Sequence, residues 1–128
     1  MGGYVPVPGQ TIYGASKAAI KLFSEGLRSE LKGTSVGVSV LFPGAVNTNI
    51  SINSGAVTAA ELEKMTNSTP KFKATDQVVA GRMIVDAFEK NPFHAFIGSD
   101  AKTMDRLSRL APEKAANLIQ KQMKSLIK

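Results

Sequence analysis

The sequence predicts an α/β fold with buried parallel strands. Three observations lead there. The stretch "VGVSVLF" at 36–42 is β-branched and apolar on both faces, the pattern of a parallel strand covered on both sides. Apolar residues recur at helical spacing before and after it. The segments then run helix–strand–helix–helix–strand–helix–helix, with no internal repeat and no low-complexity tract.

Each element has its own signal. Residues 1–11 are rich in Gly and Pro and read as a loop. A helix follows from Ile12 to about Lys32, where Ile12, Ala15, Ala19, Leu22, Gly26 and Leu31 keep roughly one face. Ala15, Ala18, Ala19 and Gly26 make one side of it thin, and Gly33 is a natural stop. The strand at 36–42 is broken by Pro43 and Gly44. Thr58 and Glu61 have the spacing of a capping box for a short helix near 59–66. "NSTPKFK" reads as a polar loop. Asp76 or Thr75 caps a helix running to about Lys90, with Val79, Met83, Ala87 and Phe88 on its apolar face. "FHAFIG" at 93–98 is a second strand. Helices near 101–110 and 113–127 finish the chain, with Pro112 pre-set for the first turn of the last.

Composition narrows the function. A chain of 128 residues, 43% hydrophobic and 20% charged, has the balance of a globular domain. It has no cysteine, which excludes a disulfide framework, a thiolate metal site and a cysteine nucleophile. His94 is the only histidine, so neither a Ser-His-Asp triad nor a histidine metal centre is expected, and no metal is. No apolar run reaches the roughly 20 residues that span a bilayer, and the N-terminus lacks the pattern of a signal peptide. The expected location is the cytoplasm. Of the net charge of +6, most sits in residues 101–128, which hold seven Lys/Arg against two Asp/Glu. The last helix sets Ala116, Ile119, Met123 and Leu126 or Ile127 against Lys114, Lys121, Lys124 and Lys128. Docking on its own domain or on a second subunit is the favoured reading of that face, and an anionic membrane surface is the alternative. Without aromatic interleaving or a known motif, the charge does not point to nucleic acid.

The chemistry-bearing feature is "TIYGASKAAIKLF". Tyr13 and Lys17 are four residues apart and so share a helix face. A free phenol has a pKa of about 10, and a nearby ammonium favours the phenolate. A phenol tuned this way gives a proton to a developing alkoxide or takes one from an alcohol. Alone, the pair reads as a packed tyrosine beside a solvated lysine. It is accompanied, about twenty residues on, by a buried strand ending in "PGAVNT".

With both motifs the sequence resembles the short-chain dehydrogenase/reductase family, from Met1 to about Asp100. Its Tyr-x-x-x-Lys motif matches at Tyr13 and Lys17, and its Pro-Gly-x-Val-x-Thr segment at Pro43, Gly44, Val46 and Thr48. The resemblance implies a Rossmann-like doubly wound parallel sheet and an NAD(P)-dependent carbonyl reductase or alcohol dehydrogenase. It implies that Tyr13 is the catalytic acid/base and that Lys17 lowers its pKa and holds the nicotinamide ribose. Pro43 and Gly44 would form the turn against the nicotinamide, with Val46 in the same cofactor-binding set and Thr48 on the carboxamide. "GGYVPVPG" would line the substrate side and "VNTNISINSGAVTAAELEKM" would be the lid. "YVPVP", Ile50 and Ile52 hint at an apolar carbonyl or alcohol substrate.

The departures from the family shape the expectation. No Gly-x-x-x-Gly-x-Gly occurs, and the early β-α-β units that would bind the adenosine half are missing. A serine thirteen residues before the tyrosine would fall one position before Met1. The chain is therefore read as the C-terminal half of a reductase, with the cofactor half missing and no turnover alone. Residues 1–100 form the incomplete Rossmann part and 101–128 a basic helical tail. The full-length form is expected to be a homo-oligomer. The alternative from another class is a non-catalytic module that pairs with a full-length homologue through the thin face of its first helix.

Overall fold

The computed structural model describes residues 2–48 and 74–123. Within them the chain is a helix-rich α/β structure with small parallel sheets. Helix α1 spans Thr11–Glu30. Strands β1 (Val40–Pro43) and β2 (Val46–Asn47) follow. Then come β3 (Thr75–Asp76), α2 (Gln77–Lys90), β4 (His94–Ile97), α3 (Ser99–Leu110) and α4 (Pro112–Met123). The capping pair Thr58 and Glu61, the helix near 59–66 and the lid beyond Thr48 lie outside the described residues.

β1 and β4 pair in parallel, Val40 with His94 through Pro43 with Ile97. β2 and β3 form a second short parallel pair. The strand expected at 36–42 is thus shorter and shifted. Residues 36–39 have no ladder partner because β4 is only four residues long, and Val36 is exposed. Pro43 does not break the strand but ends it, where its missing N–H does not interrupt the ladder. Nor is β1 buried on both faces. Phe42 is buried, while Leu41, which points the other way, is 40% exposed.

The helix boundaries follow their end chemistry. The Asp76 carboxylate accepts from the Val78 and Val79 amides and caps α2. Asn91 ends α2 in the left-handed conformation, its own amide bonded to the Ala87 carbonyl. α1 stops at Glu30, and Gly33 takes a positive φ in the turn beyond it. Pro112 opens α4 in its first turn. Arg28, near the end of α1, donates to the Asn91 side chain and carbonyl and to the Pro92 and Val38 carbonyls. That fork ties α1 to the starts of β1 and β4.

Val5 of the N-terminal loop, Met104 of α3 and Ala115 and Ile119 of α4 form one buried cluster, flanked by Tyr4, Val7, Leu107 and Met123. Phe42 links it to the sheet, 5.2 Å from the Tyr4 ring and stacked at 5.3 Å on its ladder partner Phe96. The apolar side of α4 therefore packs on its own domain, with Ala115 and Ile119 inward rather than the expected Ala116. α1 buries none of its residues. On α2 only Ala80 and Ala87 are buried, and the expected inward residues Val79 and Phe88 are exposed.

Candidate active site

Tyr13 and Lys17 lie one turn apart on α1, and the Lys17 ammonium stands 5.3 Å from the centre of the Tyr13 ring. Both are exposed, Tyr13 by 53%. A phenol on a ligand-facing surface needs that access. The other tyrosine lacks it. Tyr4 donates its hydroxyl to the Ala101 carbonyl at 2.9 Å. Burial pushes its pKa up, and the Asp105 and Asp100 carboxylates add to the rise. Tyr4 is held as a structural donor, whereas the Tyr13 ring is open to solvent.

The loop 2–10 lines, with one side of α1 and part of α4, an open and largely apolar hollow of about 480 Å³. Gly14, Ala15 and Ala18 of α1 line it; their small side chains leave the space open. Tyr13 and Lys17 are not among its lining residues. Tyr13 instead stands against the chain start, where a Cβ on Gly2 would be 3.0 Å from its ring.

The residues expected on the nicotinamide side fall at the end of β1 and beyond. Pro43 ends β1, Val46 lies in β2, and Thr48 is exposed just after it. Three hydrogen bonds hold the turn between them. The Gly44 amide donates to the Ile97 carbonyl at 2.8 Å, and the Thr75 amide donates to the Ala45 carbonyl at 2.8 Å. The Ala45 amide donates to Asp100 Oδ2 at 2.7 Å. A Cβ on Gly44 would fall on the Asp100 carboxylate. Sequence reading missed both Thr75 and Asp100 as parts of this turn, since neither stands near "PGAVNT" in the chain.

A second cluster joins three elements. His94 Nε2 is 2.6 Å from Glu25 Oε1, and Arg109 Nη2 is 3.3 Å from His94 Nδ1. A guanidinium only donates, so His94 Nδ1 accepts there, and Nε2 carries the proton toward Glu25. Arg109 also donates through Nε to both oxygens of Asp105, and Lys21 pairs with Glu25 at 2.8 Å. The Lys21 hydrogen bond holds the Glu25 carboxyl below the usual range, against the opposing effect of burial, and His94 lowers it further. His94 is the centre of this structural network. Among the described residues no group of acidic or histidine side chains is arranged to hold a metal, and no helix is long and apolar enough to cross a membrane.

Comparison with known proteins bears on the first site. The family model described as short chain dehydrogenase matches residues 1–58, which include Tyr13, Lys17 and the whole 43–48 segment. A short-chain type dehydrogenase/reductase of Sinorhizobium fredii is 51% identical over 49 residues, 38% of this chain and 20% of that protein. A dehydrogenase/reductase SDR family protein 7-like of Drosophila melanogaster is 28% identical over 110 residues, 86% of this chain and 33% of that one. A sulfoacetaldehyde reductase of Chromohalobacter salexigens is 48% identical over 50 residues, 39% of this chain and 20% of that one. The chain thus spans between a fifth and a third of the length of these relatives. No solved structure matches the chain at a significant level.

Proposed function

Residues 1–58 are a segment of the short-chain dehydrogenase/reductase family, and from that premise we propose that the chain carries the proton-transfer and nicotinamide-facing part of an NAD(P)-dependent oxidoreductase acting on a carbonyl or alcohol. The observation that carries this reading is the half-exposed Tyr13 with the Lys17 ammonium beside its ring. Tyr13 would give a proton to the substrate oxygen during reduction and take it back during oxidation. Lys17 would set a fixed positive charge beside that oxygen and donate to the ribose hydroxyls. Thr48 would donate to the carboxamide.

The donor set fits such a cofactor. Tyr13, Lys17 and Thr48 are all exposed, and each carries an N–H or O–H donor suited to hydroxyls and an amide. The bound dinucleotide would supply the hydride, and the protein the orientation and the proton. The sequence has no Gly-x-x-x-Gly-x-Gly, so on this reading other residues hold the adenosine half and the 128 residues alone give no turnover.

The test is an assay of a reading frame that contains this chain, on a panel of aldehydes and ketones with NADH and NADPH. Reduction is expected, and Tyr13→Phe is expected to lower kcat roughly a hundred- to ten-thousandfold. A Tyr13→Phe enzyme of undiminished kcat would overturn the role. One observation favours a second reading as well. α1 buries none of its residues and has a thin, small-residue side, which suits a non-catalytic module pairing with a full-length homologue. Failure of the tagged chain to co-purify with a co-expressed homologue would remove it.

A further inference from the structure

We propose that Asp100 is the positioning residue of the 43–48 segment, fixing its backbone through the Ala45 amide. The inference rests on reading that segment as the nicotinamide-facing turn, and it adds a residue from the far side of the sheet ladder to the site.

The argument starts from the topology. β1 and β4 are adjacent parallel strands, so the turns after Pro43 and after Ile97 leave the same edge of the sheet. Ligands of open parallel sheets bind at that carboxyl edge. Asp100 stands in the first turn of α3, directly after the β4 turn. It reaches across to the β1 turn, where its Oδ2 accepts from the Ala45 amide at 2.7 Å. A carboxylate accepting from an amide makes a charge-assisted bond, stronger than a neutral one.

Two of the three bonds that hold this turn are made by main-chain groups of the neighbouring strands. The third comes from a side chain, so it is the one a substitution can remove while leaving both ladders in place. Two glycines also leave the room that the carboxylate occupies. It lies where Gly44 and Gly98 would each carry a Cβ, 2.6 Å from Oδ1 in the case of Gly98. A Cβ on Gly98 would also be 2.7 Å from Thr75 Oγ1. Gly98 has φ +98°, so the chain enters α3 through a backbone conformation that brings Asp100 toward the turn. Oδ1 has no hydrogen-bond partner among the described residues, so the side chain's one directed bond is the one to Ala45. The unpaired amides of the α3 first turn favour negative charge there.

The consequence for the site is specific. With its carbonyl on Thr75 and its amide on Asp100, Ala45 is fixed on both sides of the residue. The path of the chain from Val46 to Thr48 is set from that point.

Amide exchange and nuclear magnetic resonance on the labelled chain test this. Asp100→Asn should keep slow exchange at the Ala45 amide, because the side-chain amide oxygen still accepts. Asp100→Ala should speed exchange at Ala45, Val46 and Asn47 at least about tenfold, with Leu41 and Phe96 unchanged. An unchanged Ala45 rate in Asp100→Ala would overturn the proposal, and so would equal acceleration at Leu41 and Phe96. Added NADH separates this from the functional reading. If Ala45 behaves as expected but NADH, added to the longer reading frame that contains this chain, shifts no resonance of Lys17 or Thr48, the nicotinamide role fails and the positioning stands. Shifts lost in Asp100→Ala and restored in Asp100→Asn would join the two.

Discussion

A methyl group added at Gly44 would fall on the Asp100 carboxylate, so a glycine there is a packing requirement and not only a means of turning the chain. Gly44→Ala should therefore destabilise the fold by about 1–3 kcal/mol, the usual range for overpacking. In an Asp100→Ala background the same change should cost less, with a coupling of about 0.5–3 kcal/mol between the two. Urea denaturation of the four proteins of the cycle measures it, and strict additivity would mean that Gly44 is constrained by something else. The same scale explains what the sequence could say of the site. Tyr13 and Lys17 were legible because four residues on a helix fix a spatial relation without tertiary knowledge. Asp100 was not, because 55 residues separate it from Ala45 and only the parallel register of β1 and β4 brings them together.

At the scale of elements, α1, β4 and α3 are cross-linked through Glu25, His94 and Arg109. Glu25 titrates below the usual glutamate range, first through its hydrogen bond to Lys21 and then through His94. A carboxyl with a lowered native pKa stabilises the fold fully above its unfolded pKa of about 4.3. That contribution is lost as pH falls from there through the lowered native value. Thermal melts between pH 6 and 2 should show an acid limb that is shallower in Glu25→Gln, and an identical limb would remove the network from acid stability. The Asp76 cap makes a simpler case, and Asp76→Ala should cost about 1 kcal/mol in thermal melts at neutral pH. Such caps were readable, since Asp76, Gly33 and Pro112 each act within a few residues of themselves. The strand ends were not. "VGVSVLF" has the composition of a seven-residue strand, yet ladder formation needs a partner, and the four residues of β4 limit β1 to Val40–Pro43.

Across the whole molecule the apolar residues are unevenly used. The buried set gathers around α3, α4, the N-terminal loop and the β1–β4 ladder, with Ile97 2% exposed and Ala101 and Ala115 fully covered. α1, the longest helix of the described residues, has Ile12, Leu22 and Phe23 at 84%, 70% and 70% exposure. Its amphipathic spacing was visible in the sequence, but spacing names a face and not what covers it. The two regions should therefore answer substitution differently. Ile97→Ala removes a fully packed side chain and should cost about 2–5 kcal/mol. Phe23→Ser changes a residue that touches little, and should fall within about 0.5 kcal/mol of the parent in dilute solution. Denaturation midpoints taken over a hundredfold range of protein concentration decide the point. If Phe23→Ser costs as much as Ile97→Ala only at the highest concentration, the face of α1 is covered by a second copy there. If it costs as much at every concentration, α1 packs within the chain, and the bare face described above is wrong.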